Sequence, residues 1–242
     1  MKRYACYSGS SNLYPYMVGA AKSLVEHTDV DRIFFLIEDN EFPEKLPNFI
    51  ETIDVSGQEF FPPDGPNMKS VFTYLAMIRA ALCYVLPDYV DKVLSLDVDT
   101  IVKADISDLW EIPMDGCYLA AAIEPGRSKD ERLRFGLDKF DYINAGVTLY
   151  DLELLRDSGM ADEVIDALNK GRFIWVEQDV FSYMCQGKIA ELPPEYNACR
   201  FVKHFDKPKI THFAGFQPWH YFAEVKHYQE VSWRDVLKKR ES

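Results

Sequence analysis

Four short apolar runs constrain this chain more than anything else in it. Residues 33–37 (IFFLI) and 92–96 (KVLSL) are nearly continuous in apolar character, and 118–123 (YLAAAI) and 145–150 (AGVTLY) follow suit. Such a run suits a strand covered on both faces, as in a parallel sheet held between helices. Helical spacing recurs between the runs, over 17–26, 70–86, 160–170 and 177–186. Residues 2–8 (KRYACYS) read as a first strand ending at Gly9-Ser10-Ser11, and 209–213 (KITHF) as a late one. Strands alternating with helices predict an α/β fold: a mainly parallel central sheet with helices on both faces. In such sheets ligands bind beyond the carboxyl ends of the strands. Residues 57–67 (GQEFFPPDGPN) read as a loop, and 124–140 as a mobile loop or short helix beside a site. The segment from Val225 reads as a mixed polar tail.

At 242 residues the chain suits one large domain, expected to span 1–242. Its formal charge of −12 argues against nucleic acid or an anionic membrane as the main partner. A small phosphorylated substrate stays compatible, because one bound cation reverses the local field. The cysteines, Cys6, Cys83, Cys117, Cys185 and Cys199, form no C-x-x-C pair. Cys6 and Cys117 read as small core residues, and the scattered set suits a reducing compartment. No window approaches the apolar length of a membrane span and no signal peptide is seen, so a cytoplasmic location is expected.

Four places carry candidate chemistry. Asp97-Val98-Asp99 directly follows an apolar strand, so it lies at a carboxyl end, and residues two apart in extended backbone share a side. Paired carboxylates repel unless one keeps its proton or a cation joins them. Oxygen ligands suit Mg²⁺ or Mn²⁺; a solvated acidic turn is the plain alternative. His212, in THFAGFQPW (211–219), follows a strand and precedes Gly215, where a ligand can approach the backbone closely. It reads as a structural histidine or as a third, imidazole ligand. Asn144-Ala145-Gly146 reads as a pocket floor or a turn with a glycine bulge. Glu177-Gln178-Asp179 opens a helix, where acidic side chains also favour the helix dipole.

In order along the chain stand Arg79, LPDYVDKVLSLDVDTIV (86–102), DISDLW (105–110), YINAGVTLYDL (142–152), EQDVFSYM (177–184) and HFAGFQPWH (212–220). Together they resemble glycosyltransferase family 8, the family of glycogenin and of bacterial lipopolysaccharide galactosyl- and glucosyltransferases. The resemblance runs from about residue 2 to about residue 222. It implies a GT-A fold, a single nucleotide-sugar-binding domain that retains the donor's anomeric configuration. By it, Asp97, Asp99 and His212 would hold Mn²⁺ (or Mg²⁺) against a UDP diphosphate, with Val98 and Gly215 beside it. Arg79, Asn144, Gly146, Glu177, Gln178 and Asp179 would hold the donor sugar and the reacting face. Cys6, Ser8, Ser10 and Asn12 would receive the uridine. A saccharide acceptor is implied as second substrate, in a pocket built from loops 57–67, 124–140 and 193–206.

Two departures stand out. The turn after the first strand reads GSSN where the family usually carries an acidic residue or Asn-Asp, and Gln217 replaces a lysine of the family's last motif. Lys203, Lys207 or Lys209 is expected to replace that charge. The departures keep two alternatives open: an inactive UDP-sugar-binding module, and a nucleotide-sugar hydrolase or nucleotidyltransferase. A nucleotidyltransferase would be expected to carry a Gly-rich, basic loop after its first strand, and GSSN is neither.

Overall fold

The computed structural model describes residues 2–39, 42, 44–69, 74–215 and 219–240. Strand β1 (Tyr4–Ser8) leads into helix α1 (Tyr14–His27), then β2 (Arg32–Ile37) and β3 (Ile50–Asp54). The helical stretch expected over 70–86 is broken into α2 (Tyr74–Met77), a 3-10 segment (Ile78–Ala81) and α3 (Leu82–Val85). Residues 70–73 lie outside the described residues. The tightened turn carries Arg79, in keeping with the use of mid-helix 3-10 segments at functional positions.

Strands β4 (Lys92–Leu96) and β5 (Thr100–Val102) flank the Asp97-Val98-Asp99 turn. Next come β6 (Leu119–Ile123), α4 (Pro125–Phe135), β7 (Ile143–Asp151), α5 (Leu152–Ser158) and α6 (Met160–Lys170). Then follow α7 (Val176–Met184), β8 (Ile189–Glu191), β9 (Ile210–His212), α8 (Ala223–Glu230) and α9 (Trp233–Arg240).

The central sheet has the order β3-β2-β1-β4-β7-β6-β8. β7 runs antiparallel to both neighbours, β4 and β6, and every other pairing is parallel. The mainly parallel expectation holds, with β7 as the exception. Strands buried on both faces look alike in either direction, so composition did not mark it. One apolar cluster gathers α1 with Trp110 and Val236; the other gathers Leu75, Leu82, Leu155, Val164 and Phe181. Helices therefore cover both faces.

The expected polar tail is structured instead. α8 and α9 pack against α1, with Val236 fully buried and Trp233 edge-on to Phe49. Trp233, Val236 and Leu237 supply one apolar face, a short pattern masked by the charges of α9. Of the two cysteines expected in the core, Cys6 is fully buried and Cys117 only half-buried. All five are unpaired. Among the described residues no helix is long and apolar enough to cross a membrane.

Candidate active site

β4 ends at Leu96 and the chain turns at once. The Thr100 N–H and hydroxyl both donate to the Asp97 carbonyl, at 3.2 and 2.7 Å. That turn separates β4 from β5, and β5 pairs antiparallel with β9, placing Thr100 opposite His212. The Phe213 N–H donates to the Asp99 carbonyl at 2.9 Å. A two-stranded sheet thus carries His212, more than a hundred residues distant in sequence, to the acidic turn. Ligand atoms of Asp97, Asp99 and His212 all lie within 4.8 Å of one another. His212 Nε2 stands 3.6 Å from Asp97 Oδ2 and 3.4 Å from Asp99 Oδ1. Val98, between the two carboxylates, packs instead against the apolar clusters.

His212 is almost completely buried. Burial opposes its charge, yet the carboxylates of Asp99 and Asp97 hold its pKa well above the ordinary value. Its Nδ1 lies 2.8 Å from Asn197 Oδ1. The ring rests on Gly146: a Cβ there would lie 2.0 Å from His212 Cε1. No other residue type leaves room for this histidine, which explains Gly146 without any ligand.

Arg79 ties the turn to α7. Its guanidinium donates to Asp97 Oδ1 at 2.6 Å, to the Ala145 carbonyl at 3.1 Å, and to Glu177. Glu177 is 1% exposed, and burial pushes its carboxyl up to about 7 despite the arginine. Val176, immediately before it, has φ +34°, a strained conformation for a β-branched residue. Strain of about 1–3 kcal/mol persists where surrounding structure enforces it, commonly at functional sites. Gln178 accepts the Ala145 N–H at 3.0 Å on its carbonyl oxygen, which keeps a second lone pair. Asp179 is fully engaged: Oδ2 accepts the Ile174 and Trp175 N–H groups at 3.0 Å each, and Oδ1 accepts the Tyr142 hydroxyl. Asn144 is likewise occupied, donating to Glu124 at 2.8 Å and accepting from Asn197 at 2.9 Å.

Most of the expected site residues line one cleft of about 770 Å³, whereas Asp179, with both oxygens engaged, is not on its wall. Arg79, Asp97, Asp99, Asn144, Gly146, Glu177, Gln178, His212 and Gly215 all reach it. Gly215 has φ +71°, in the left-handed region where glycine is at ease. The cleft also takes in Glu124, Arg127, Asp130, Arg200 and Phe201, from the expected loops 124–140 and 193–206 though not individually named there, and Trp175. Glu124 directly follows β6 as Asp97 follows β4, so the strand-end rule would have found it. Burial raises its carboxyl pKa. Arg127 stacks 4.8 Å above the Tyr142 ring.

The nucleoside set stands apart. Cys6, Ser8, Ser10 and Asn12 do not line the cleft. Cys6 and Ser8 lie in β1, with Cys6 paired to β4, and Ser10 and Asn12 in the turn that follows. The Cys6 thiol is buried in the core, which pushes its pKa up to about 12, so only its main chain is available to a base. Ser10 donates to Asn12 at 2.6 Å. Gln217 lies outside the described residues. Of the lysines expected to replace its charge, Lys209 pairs with Asp108 at 2.9 Å, and Lys203 and Lys207 are exposed off the cleft wall. Arg200 does line the cleft, as do Arg79 and Arg127; it is stacked 4.6 Å over Phe201 and lies 3.5 Å from the Gly215 carbonyl.

Comparison with known proteins supplies the chemistry's class. The chain is 24% identical over 233 residues to a putative glycosyltransferase of Haemophilus influenzae, covering 86% of this chain and 70% of that one. It is 28% identical over 172 residues to the lipopolysaccharide 1,2-glucosyltransferase of Escherichia coli, covering 60% and 51%. It thus spans about half the length of the second relative. Among solved structures it superposes on the galactosyltransferase LgtC, in complex with donor and acceptor sugar analogs. There the TM-score is 0.69 at 18% identity, over 98% of this chain and 99% of that one. The bifunctional glycosyltransferase WbbM matches with TM-score 0.74 at 17% identity, over all of this chain and 52% of that one. These likenesses show the GT-A fold. The model of glycosyl transferase family 8 matches residues 5–223, and the chain belongs to that family.

Proposed function

We propose that this protein is a metal-dependent, retaining glycosyltransferase that moves a hexose from UDP-glucose or UDP-galactose to a saccharide or other acceptor. The observation that carries it is the convergence of Asp97, Asp99 and His212 on a cleft that Glu177 and Gln178 also line. The donor set fits a hard divalent cation: two carboxylates whose mutual repulsion a cation relieves, with one imidazole nitrogen turned toward them. Mn²⁺ or Mg²⁺ held there would stabilise, as a Lewis acid, the charge that develops on a departing diphosphate.

The chain's own groups account for the rest. Arg79 bridges Asp97 and Glu177 and keeps the two carboxylates in fixed register. Arg200 supplies a planar donor fork suited to a diphosphate, on the wall beside Gly215. The free lone pair of Gln178 suits positive charge growing on the anomeric carbon. Asp179, with both oxygens engaged, is a poor nucleophile, and Glu177 is held by Arg79. Front-face attack is therefore favoured over double displacement. The bond from the anomeric carbon to UDP breaks, the bond to the acceptor oxygen forms on the same face, and the acceptor proton passes to a departing phosphate oxygen.

The packing of α9 on α1 supports reading 1–242 as one domain. The five unpaired cysteines support a reducing, cytoplasmic setting. The stereochemical claim is tested by proton NMR of the first-formed product from an α-linked donor. An α-linked product is expected; a β-linked product overturns the mechanism.

A further inference from the structure

Asn197 has no motif around it, yet it is completely buried beside the acidic turn. It closes the 3-10 segment Pro194–Asn197. The next residue is stitched to β9 on both sides: the Ala198 N–H donates to the Ile210 carbonyl at 3.0 Å, and the His212 N–H donates to the Ala198 carbonyl at 3.1 Å. The main chain alone therefore fixes Asn197 next to His212.

The direction of the side-chain bonds can be traced without ambiguity. The Asn144 main-chain carbonyl only accepts, so the contact at 3.2 Å places the Asn197 NH₂ group there. The same NH₂ donates to Asn144 Oδ1 at 2.9 Å. Asn144 in turn donates to the Glu124 carboxylate at 2.8 Å, which fixes its own orientation. Asn197 Oδ1 is left facing His212 Nδ1 at 2.8 Å. A carboxamide oxygen only accepts, so Nδ1 must carry the hydrogen. Its partner nitrogen, Nε2, then looks toward Asp97 and Asp99. Gly146 lets the ring lie directly against β7.

We propose that Asn197 is a positioning residue: its carboxamide holds His212 in the Nδ1–H tautomer and orientation that present Nε2 to a divalent cation shared with Asp97 and Asp99. The Glu124–Asn144–Asn197–His212 chain is an outer support that orients a metal ligand through its second nitrogen. It rests on the metal-binding reading given above.

The test uses the full chain and Mn²⁺ alone, titrated and followed by the electron paramagnetic resonance of the free ion. Two variants are compared with wild type. Asn197→Leu keeps the volume and removes the acceptor. Asn197→Asp keeps the acceptor and removes the donors to Asn144. Asn197→Leu is expected to weaken Mn²⁺ binding by about 10–100-fold. Asn197→Asp is expected to stay within a few-fold of wild type, even where the buried carboxylate lowers its melting temperature. With Zn²⁺ as a diamagnetic stand-in, ¹⁵N spectra of wild type and Asn197→Asp should show His212 protonated at Nδ1. A purely structural asparagine would make metal affinity follow folding stability. Equal Mn²⁺ affinity in wild type and Asn197→Leu overturns the positioning role, as does an Nε2–H tautomer in wild type. Should Asn197→Leu fail to fold, a folded Asn197→Asp that binds Mn²⁺ at least tenfold more weakly than wild type overturns it alone. Wild type that binds no Mn²⁺ overturns the metal reading itself, a separate and distinguishable failure.

Discussion

The two halves of the central sheet are built on opposite principles. On the β3-β2-β1-β4 side, β2 buries Ile33, Phe34, Phe35 and Leu36 completely, and none needs a partner beyond good packing. Each such side chain contributes about 1.5–3 kcal/mol by leaving water. Around β7 and α7 the buried set includes Arg79, Glu124, Asn144, Glu177, Asp179, Asn197 and His212. Polar groups out of water cost free energy unless each is paired. Here most are paired with one another or with nearby main chain, although Glu177 Oε2 has no partner, so the site holds together as a network. One half keeps the fold, and the other gives up stability to hold charges in place.

That contrast is easiest to break with two substitutions made side by side. Asp99→Asn removes a carboxylate from the acidic turn and should lower metal-stimulated UDP release by about 10³-fold, since a metal contributes several kcal/mol to charge stabilisation. Its melting temperature should change little beside Phe35→Ala, because the relieved repulsion from Asp97 offsets the lost attraction to His212. Phe35→Ala should do the reverse, costing about 3–5 kcal/mol of stability by denaturant titration. An Asp99→Asn protein as destabilised as Phe35→Ala would erase the distinction.

Gly146→Ala probes the seam between the halves. Gly146 lies in β7, with its carbonyl accepting the Asp97 N–H at 2.8 Å. A methyl there collides with the rigid ring of His212, not with a flexible chain. The fold should survive while Mn²⁺ affinity falls by at least about tenfold. Unchanged affinity would mean that His212 is not held where the structure puts it.

A smaller effect is expected from pH. The ordinary histidine value is 6.5, and in the metal-free protein His212 is held well above it, against the pull of burial, by Asp99 and Asp97. Below 6.5 folded and unfolded chains both carry the proton, and the stabilisation is fully present. Above 6.5 the unfolded chain sheds the proton first, so metal-free stability should fall until the folded value is passed. Denaturant titrations with a chelator should show this decline in wild type and a flatter profile in His212→Asn. A wild-type profile that rises over that range contradicts the sign.

The same contrast explains what could be read from sequence. Apolar runs declare themselves, and β1, β2, β4 and β6 emerged close to their expected bounds. The acidic turn was legible because strand ends are where such sheets bind ligands. The reversal of β7 was not, since a strand buried on both faces reads alike in either direction. Nor was Asn197, whose partners His212 and Asn144 come from distant segments and leave no local pattern. Glu124 was passed over as the start of a polar stretch, though it satisfies the rule that found Asp97. The helices α8 and α9 were hidden because a two-turn apolar face carries little periodic signal among charges. The inward direction of the Cys6 side chain could not be read, because the strand end shows in the sequence and the facing of each side chain does not.

The central claim is that Asp97, Asp99 and His212 bind a cation that in turn binds the donor's diphosphate. Calorimetric titration of UDP into the full chain, with Mn²⁺ and then with a chelator, tests it most directly. UDP should bind with Mn²⁺ present, lose that affinity with the chelator, and fail to regain it with Mn²⁺ in Asp99→Asn. Equal UDP affinity in all three conditions would contradict the claim.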